Sequence, residues 1–95
     1  MTYEKILDLK GKVAIITGAA TGLGAATAQM LADVGANVLI NYMPGQETQA
    51  QTIADKCVSS GVSDSLCHPG DITKDDQCKG IVQAAIDQWG RVDIL

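Results

Sequence analysis

The feature that most constrains this 95-residue chain is a glycine-rich segment between an apolar run and a helical pattern. Residues 13–17 read Val-Ala-Ile-Ile-Thr, a continuous apolar run typical of a strand that is buried on both faces. Residues 17–24 follow as Thr-Gly-Ala-Ala-Thr-Gly-Leu-Gly, and a helical pattern begins at Ala25. A helix that starts directly after such a loop directs free N–H groups and its positive dipole end toward one point, where a phosphate binds well.

The spacing of the three glycines predicts a separate role for each. Gly18 allows the tight turn off the strand, Gly22 lets the backbone approach a bound group, and Gly24 lets the helix lie close to the sheet. Thr27 stands where a third glycine of Gly-x-Gly-x-x-Gly would be, and the absence of a following Lys excludes a P-loop. The alternative interpretation is a glycine-rich turn that binds nothing.

Helical and strand patterns alternate along the rest of the chain. Gly35, Gly61 and Gly90 mark predicted helix ends, and Asp71 or Thr73 is predicted to cap the third helix. Trp89 belongs to the apolar stripe of that helix and is predicted to be core. The predicted segments are helices at 25–34, 46–60 and about 78–89, and further strands at 38–40, 65–68 and 92–95.

This β-α-β-α-β-α-β order predicts an α/β fold: a Rossmann-type, doubly wound parallel sheet in a three-layer αβα arrangement. Four strands in the order 3-2-1-4 and three helices make this sheet incomplete. The fourth strand would remain an open central edge, which is an aggregation liability. We therefore expect residues 1–95 to be the amino-terminal part of a single dinucleotide-binding domain that belongs to a larger fold.

Composition and charge exclude several classes of protein. Seven Lys and Arg against eleven Asp and Glu give a net charge of −4, which argues against nucleic-acid binding. No apolar run approaches the roughly 20 residues of a membrane span, and Met1–Lys5 shows no signal pattern. The three cysteines, Cys57, Cys67 and Cys78, have neither disulfide nor zinc spacing, so we expect reduced, partly buried thiols, no metal site and a cytoplasmic protein.

Three segments together resemble one family. Residues 9–18, with the glycine loop after them, resemble the opening of the short-chain dehydrogenases/reductases. Gly70-Asp71-Ile72 resembles the family's adenine-contacting motif, and residues 90–95 resemble the stretch that enters its Asn-Asn-Ala-Gly motif. Asn41-Tyr42 is also similar to the 3-oxoacyl-carrier-protein reductase and glucose dehydrogenase branches.

The resemblance implies a set of cofactor contacts. The loop would hold the cofactor diphosphate, with Leu23 acting through its backbone, and Asp71 would accept from the adenine amino group while Ile72 lies against the base. The implied or predicted cofactor-binding residues are Gly18, Ala20, Thr21, Gly22, Leu23, Gly24, Asn41, Tyr42, Asp71 and Ile72. For Asp71 and Ile72 the alternatives are a helix cap and a core residue, and Asp93 is expected to be structural.

The family's chemistry uses a Tyr-x-x-x-Lys pair with a Ser and an Asn. Neither Tyr3 nor Tyr42 begins that pattern, so we predict no catalytic residue among these 95. The implied function is the cofactor-binding portion of an NAD(P)(H)-dependent oxidoreductase that interconverts a small carbonyl and an alcohol, as a homodimer or homotetramer. The alternatives are a stand-alone, non-catalytic dinucleotide-binding or regulatory module, and a relative that uses its cofactor for sensing, isomerisation or epimerisation.

The end of the second strand bears on which cofactor is preferred. An NAD-selective site usually has an acid about 20 residues beyond the loop, where Tyr42 stands here between Asn41 and Met43. The nearest acid downstream is Glu47, beyond a Pro-Gly turn. Thr21, Asn41 and Tyr42 offer neutral donors to a 2′-phosphate, so we predict that NADP(H) is favoured while NAD(H) is still accepted. An Asp at position 42 would then reverse the preference.

Overall fold

The computed structural model describes residues 8–59 and 63–95. The amino-terminal segment considered for a signal pattern, with Tyr3, and the predicted helix end at Gly61 lie outside these residues. The elements are β1 Val13–Ile16, α1 Gly22–Asp33, β2 Asn37–Tyr42, α2 Glu47–Val58, β3 Ser65–Pro69 and α3 Asp75–Trp89. No helix within the described ranges is both long and apolar enough to cross a membrane.

The three strands form one parallel sheet with β2 in the centre. In the register, Val13 lies beside Asn37 and Ile16 beside Ile40, while Asn41 lies beside His68 on the other side. This arrangement confirms the predicted parallel α/β sheet and the order 3-2-1 of its first three strands.

The predicted fourth strand is represented by one residue. Ile94 forms a parallel bridge with Ala14, through the carbonyl oxygen of Val13 (3.0 Å) and the N–H of Ile15 (2.9 Å). These bonds place Ile94 on the side of β1 away from β2, because β1 pairs with β2 through its other edge. The order of four full strands therefore stays a prediction.

The two faces of the sheet carry two separate apolar clusters, because alternate strand residues point to opposite faces. Val38 and Ile40 pack with α1 and α2 to form one cluster, which we call the α1–α2 cluster. The buried positions of those helices are mostly alanine, which allows close contact with the sheet. On the other face Leu39, Val13 and Ile15 pack against Ile81 of α3 and form the α3 cluster. The result is the predicted three-layer arrangement of helices, sheet and helix.

Several predicted boundaries change. α1 begins at Gly22 rather than Ala25, because the last three loop residues already form its first turn. The predicted cap of α3 is wrong: Lys74 is the N-cap residue and provides no side-chain cap. The Asp71 carboxylate instead accepts hydrogen bonds from the N–H and hydroxyl of Thr73 (2.9 and 2.6 Å), so it stabilises the preceding turn.

The predicted ends of α1 and α3 are confirmed at Gly35 and Gly90, which follow the last helical residues with positive φ values. Trp89 differs from its prediction as a core residue, since it is only partly buried against the α3 cluster. Its indole N–H donates to a carboxylate oxygen of Asp64 (3.2 Å), and this bond explains why the ring stays at the surface.

Candidate functional site

All three strands end at the same edge of the sheet, so the loops that follow them are neighbours. The glycine loop is joined to β2 by the bond from the N–H of Ala19 to the carbonyl oxygen of Asn41 (2.9 Å). The turn after β3 is joined to β2 by the bond from the N–H of Gly70 to the carbonyl oxygen of Tyr42 (2.9 Å). In open parallel sheets, ligands bind in the crevice at this edge.

The glycine loop has an open outer surface. Gly22 has a φ of +59°, a left-handed conformation that disfavours side chains. Apart from its two chain neighbours and the adjoining backbone of its own helix, no atom of the described residues lies within 4 Å of where its Cβ would be. The side chain of Leu23 is 84% exposed and points away from the core. A bound group can therefore approach the loop backbone closely.

Gly24 plays the packing role predicted for it. A Cβ added there would overlap the carbonyl oxygen of Gly18 and come within 3.1 Å of the Cα of Ala19. The first turn of α1 therefore lies directly against the backbone of its own loop. Ala20 contributes to this packing too, since its side chain is buried in the α1–α2 cluster and only its backbone remains for a ligand.

The first turn of α1 has neither a side-chain cap nor an acidic residue. Thr21 is the N-cap residue, and its side chain forms no capping hydrogen bond. The first N–H groups of a helix have no intrahelical acceptor, so these donors are available to a ligand. α1 has no acidic residue in its first turn, whereas α2 begins with Glu47 and α3 with Asp75 and Asp76. The open loop and the uncapped, uncharged first turn fit a diphosphate.

Asn41 and Tyr42 do not present their side chains as the sequence predicts. The Asn41 amide is 2% exposed and donates its hydrogen bonds to the carbonyl oxygens of His68 (3.3 Å) and Gly70 (3.2 Å). The ring of Tyr42 is 8% exposed and packs in the α1–α2 cluster. The predicted role of Asn41 as a side-chain donor to a 2′-phosphate is therefore corrected, because its amide group donates to two backbone carbonyls. The Tyr42 ring is buried because β2 continues through residue 42, and the role of its hydroxyl as a donor stays a prediction.

Asp71 keeps an oxygen free for a ligand. Its hydrogen bonds from Thr73 both go to Oδ1, and Oδ2 has no donor among the residues that the structure describes. These bonds, chiefly the one from the Thr73 hydroxyl, lower the pKa of Asp71, so this carboxyl group is an ionised acceptor at neutral pH.

Ile72 is 50% exposed, which argues against the alternative of a core residue. It lines an apolar cleft of about 190 Å³ together with Thr17, Cys78, Val82 and Leu95. The cleft lies between the end of β1 and α3, and Ile72, the residue after Asp71, is one of its walls. Its apolar walls suit a flat heterocyclic ring.

Two contributors to this site are absent from the sequence-based set. Gly70 lies where an added Cβ would come within 2.9 Å of the Ile81 side chain, so α3 packs directly on the turn. Gln77 on α3 accepts a hydrogen bond from the N–H of Asp71 (2.6 Å). The Gly-Asp pair in the sequence could have indicated the contribution of Gly70. Nothing in the sequence pattern of α3 indicated that Gln77 would contact the Asp71 turn.

The cysteines are free thiols, as predicted. Burial raises the pKa of Cys57 to about 11 and also raises the pKa of Cys67, so both remain protonated at neutral pH. Cys67 packs on the α1–α2 side, while the neighbouring His68 ring lies toward Gly80 of α3. The two side chains therefore face opposite sides of the sheet and form no nucleophilic pair.

Asp93 has the structural role predicted for it. Its carboxylate accepts a hydrogen bond from the N–H of Val13 (2.9 Å) and pairs with the Arg91 guanidinium (2.7 Å). This joint lies at the start of β1, at the edge of the sheet opposite the glycine loop.

Comparison with known proteins gives a consistent result. A sequence model of the short chain dehydrogenase family matches residues 12–95. The chain is 36% identical to NADPH-dependent aldehyde reductase 1 of Arabidopsis thaliana over 98% of its own length, and 38% identical to L-rhamnose-1-dehydrogenase of Scheffersomyces stipitis over 92%. It covers 34% of each of these two relatives, so it spans about a third of their length.

Solved structures agree in fold. A Burkholderia xenovorans protein assigned to the short-chain dehydrogenases/reductases superimposes with a TM-score of 0.83 at 33% identity, over 87% of this chain and 34% of that one. A metagenomic short-chain oxidoreductase in complex with NADP gives a TM-score of 0.80 at 28% identity, over 90% of this chain and 38% of that one.

Proposed function

The chain belongs to the short-chain dehydrogenase/reductase family, and from this premise we propose that it is the cofactor-binding portion of an oxidoreductase. The parent protein would transfer hydride between a nicotinamide dinucleotide and a small carbonyl or alcohol substrate. We propose residues 1–95 as the amino-terminal part of one dinucleotide-binding domain, with a sheet order of 3-2-1-4. The bridge between Ala14 and Ile94 supports this order.

One observation carries the proposal: the open glycine loop and the Asp71 turn lie at the same edge of the sheet. The loop offers the uncapped start of α1 to a diphosphate. The turn offers the ionised carboxylate of Asp71 and, at the next residue, Ile72 in the wall of an apolar cleft, which together suit an adenine ring and its amino group. An anion site after β1 and a base site after β3, on either side of the central strand β2, match the two parts of a dinucleotide's adenosine diphosphate half.

The residues of this chain bind and orient the cofactor. The backbone from Gly18 to Gly24 would hold the diphosphate, with the Thr21 hydroxyl as an additional donor. Asp71 would accept from the adenine amino group, and Ile72 would form one wall of the base site. A nicotinamide dinucleotide, when bound, supplies the hydride acceptor or donor of the reaction.

We infer a preference for NADP(H). One of the relatives is named an NADPH-dependent aldehyde reductase, and one of the similar structures is a complex with NADP. No acid stands at position 42, and the nearest one downstream, Glu47, directs its carboxylate to the N–H of Gly45 (3.0 and 3.2 Å). A cytoplasmic location and assembly into a homodimer or homotetramer are proposed on the family resemblance.

Replacing Gly22 with Val tests the proposed site. A branched side chain would occupy the open space above the loop, so we expect the Kd for NADPH, measured by fluorescence titration, to rise by about tenfold or more, a loss of about 1.4 kcal/mol. Gly11→Val is the matched control. Gly11 also has a positive φ of +82° and open space around its Cβ position, but it precedes β1 at the opposite edge of the sheet.

Circular dichroism of both variants shows whether they fold. Because the two glycines share the same backbone strain, a comparable loss of stability is expected in both, while only the Gly22 variant should lose affinity. An unchanged Kd in a folded Gly22→Val protein, or no binding of NADPH by the unsubstituted protein, contradicts the proposal.

A further inference from the structure

Asn41 is the one buried polar or charged residue among those that the structure describes, and both polar atoms of its side-chain amide form hydrogen bonds. Its Oδ1 accepts from the N–H of Gly18 (3.3 Å), and its Nδ2 donates to the carbonyl oxygens of His68 (3.3 Å) and Gly70 (3.2 Å). No hydrogen-bonding atom of this side chain faces the loop surface where a ligand would lie.

The partners of Asn41 belong to different loops of the site. Gly18 begins the glycine loop, whereas His68 and Gly70 form the end of β3 and the turn into Asp71. One short side chain on the central strand thus connects both parts. Removing it would take these partners from the part-buried N–H of Gly18 and from the buried carbonyl oxygen of Gly70, so neither loop would be held to β2 by this side chain.

We propose that Asn41 is a positioning residue that fixes the spacing between the glycine loop and the Asp71 turn, so that one dinucleotide engages both at once. This inference rests on the proposed function of the two parts. The diphosphate and the adenine are covalently linked, so binding at one part presents the other at a high effective concentration only if the spacing matches. A fixed spacing also removes the cost of ordering two loops on binding.

The same strand offers a matched control. Asn37, at the other end of β2, accepts a hydrogen bond from the N–H of Asp64 at its Oδ1 (2.9 Å). This bond joins β2 to the start of β3, at the sheet edge remote from the glycine loop. Asn37→Ser therefore removes an inter-strand amide contact without touching either loop of the site.

The experiment compares Asn41→Ser with Asn37→Ser for two ligands. Calorimetric titration measures the Kd of NADPH, which spans both parts, and of adenosine 2′-monophosphate, which has the base but no diphosphate. For Asn41→Ser we expect the Kd of NADPH to rise by about tenfold or more and that of the nucleotide by less than about threefold, because only the linked ligand depends on the spacing. For Asn37→Ser we expect both Kd values to stay within about threefold of the unsubstituted protein.

Three outcomes overturn the inference. The first is an unchanged Kd for NADPH in folded Asn41→Ser. The second is an equal rise in the Kd of both ligands in that variant. The third is a rise in the Kd of NADPH that is as large in Asn37→Ser as in Asn41→Ser. If Asn41→Ser does not fold, Asn41→Thr repeats the measurement with a β-branched residue that suits a strand. Failure of the unsubstituted protein to bind NADPH would instead contradict the proposed function, so the two failures are distinguishable.

Discussion

Two adjacent residues at the end of β2 have opposite surroundings, because alternate strand residues face opposite sides of the sheet. Tyr42 packs its ring among α1 and α2, and burial, followed by the nearby charge of Glu47, raises the pKa of its phenol. Asn41 faces the other side and binds two loops. Met43, 46% exposed, is the first residue after β2 whose side chain reaches solvent beside the site.

An Asp at position 43 rather than 42 should therefore control the cofactor preference. Tyr42→Asp would bury a carboxylate in an apolar cluster and destabilise the fold. Met43→Asp places the charge at the surface, where it repels a 2′-phosphate and leaves a 2′-hydroxyl unaffected. We expect the ratio of NADPH to NADH affinity to fall by about tenfold, as measured by competitive fluorescence titration.

Met43→Asn is the control, because an Asn side chain has nearly the same size as an Asp side chain but carries no charge. It should leave the ratio within about twofold of the unsubstituted protein, since neutral surface changes have small effects. Equal effects of the Asp and Asn variants would show that Met43 is not near the 2′-position. Tighter binding of NADH than of NADPH by the unsubstituted protein would contradict the preference for NADP(H).

At the scale of the elements, the length of β2 explains why the site was only partly predictable. The apolar run ends at Ile40, so the sequence predicts a strand over residues 38–40 and a turn that begins at Tyr42, with Asn41 between them. Pairing with β3 extends the strand by two residues, to Asn41 beside His68 and Tyr42 beside Pro69. A polar residue and an aromatic one give no periodic signal for a strand, and only the neighbouring strand determines that they continue it.

The shape of the glycine loop, by contrast, was largely predictable, although α1 begins three residues earlier than the pattern indicated. This shape depends on backbone conformation and on the absence of side chains, and glycine spacing indicates both directly. The open surface at Gly22 and the close contact at Gly24 both follow from that spacing. Residues that contribute through long-range side-chain contacts, such as Gln77 at the Asp71 turn, could not be identified from local patterns.

The joint between β1 and the chain after α3 gives a prediction for acid stability. Hydrogen bonds from Arg91, and then from the N–H of Val13, lower the pKa of Asp93. A carboxyl group whose pKa is lower in the folded than in the unfolded protein stabilises the fold at pH values above the unfolded pKa, which is about 3.9 for Asp. This stabilisation is lost as the pH falls through the pKa of the folded state. We expect Asp93→Asn to lower Tm at neutral pH, and the difference from the unsubstituted protein to close at acid pH.

Thermal unfolding between about pH 2 and pH 7 measures this difference. Asp87→Asn is the control. Asp87 is exposed on α3, and among the described residues its one side-chain hydrogen bond is from Gln83 of the same helix (2.7 Å), so its replacement should change Tm little at either pH. A difference in Tm for Asp93→Asn that stays constant into acid would show that the charge of Asp93 does not stabilise the joint.

At the scale of the whole molecule, the alternation of apolar runs and helical patterns was sufficient to predict the parallel sheet and the helices on its two faces. β1 and the middle of β2 are buried on both faces, so residues 13–16 and 38–40 are continuously apolar and easily distinguished from an amphipathic helix. β3 is half-buried and mixed in sequence, and its place follows from the alternation of elements. The fourth strand was less predictable, since residues 92–95 contain one bridging residue, Ile94. A strand needs partners along its length, and Ile94 pairs only with β1 within the described part of the chain.

The division between binding and chemistry leads to the last prediction: the 95-residue chain consumes no NADPH in the presence of ketones, although it binds the cofactor. A catalytic tyrosine of this family's type needs a lowered pKa and a lysine four residues later. Tyr42 is followed at that distance by Gln46, and its pKa is raised rather than lowered. Turnover of a ketone panel is measured against a heat-inactivated sample, and Tyr42→Phe should behave in the same way as the unsubstituted chain. A rate of NADPH consumption that exceeds that of the heated control and is lost in Tyr42→Phe would place a proton donor within these residues. It would contradict the prediction that this chain binds the cofactor without catalysing the reaction.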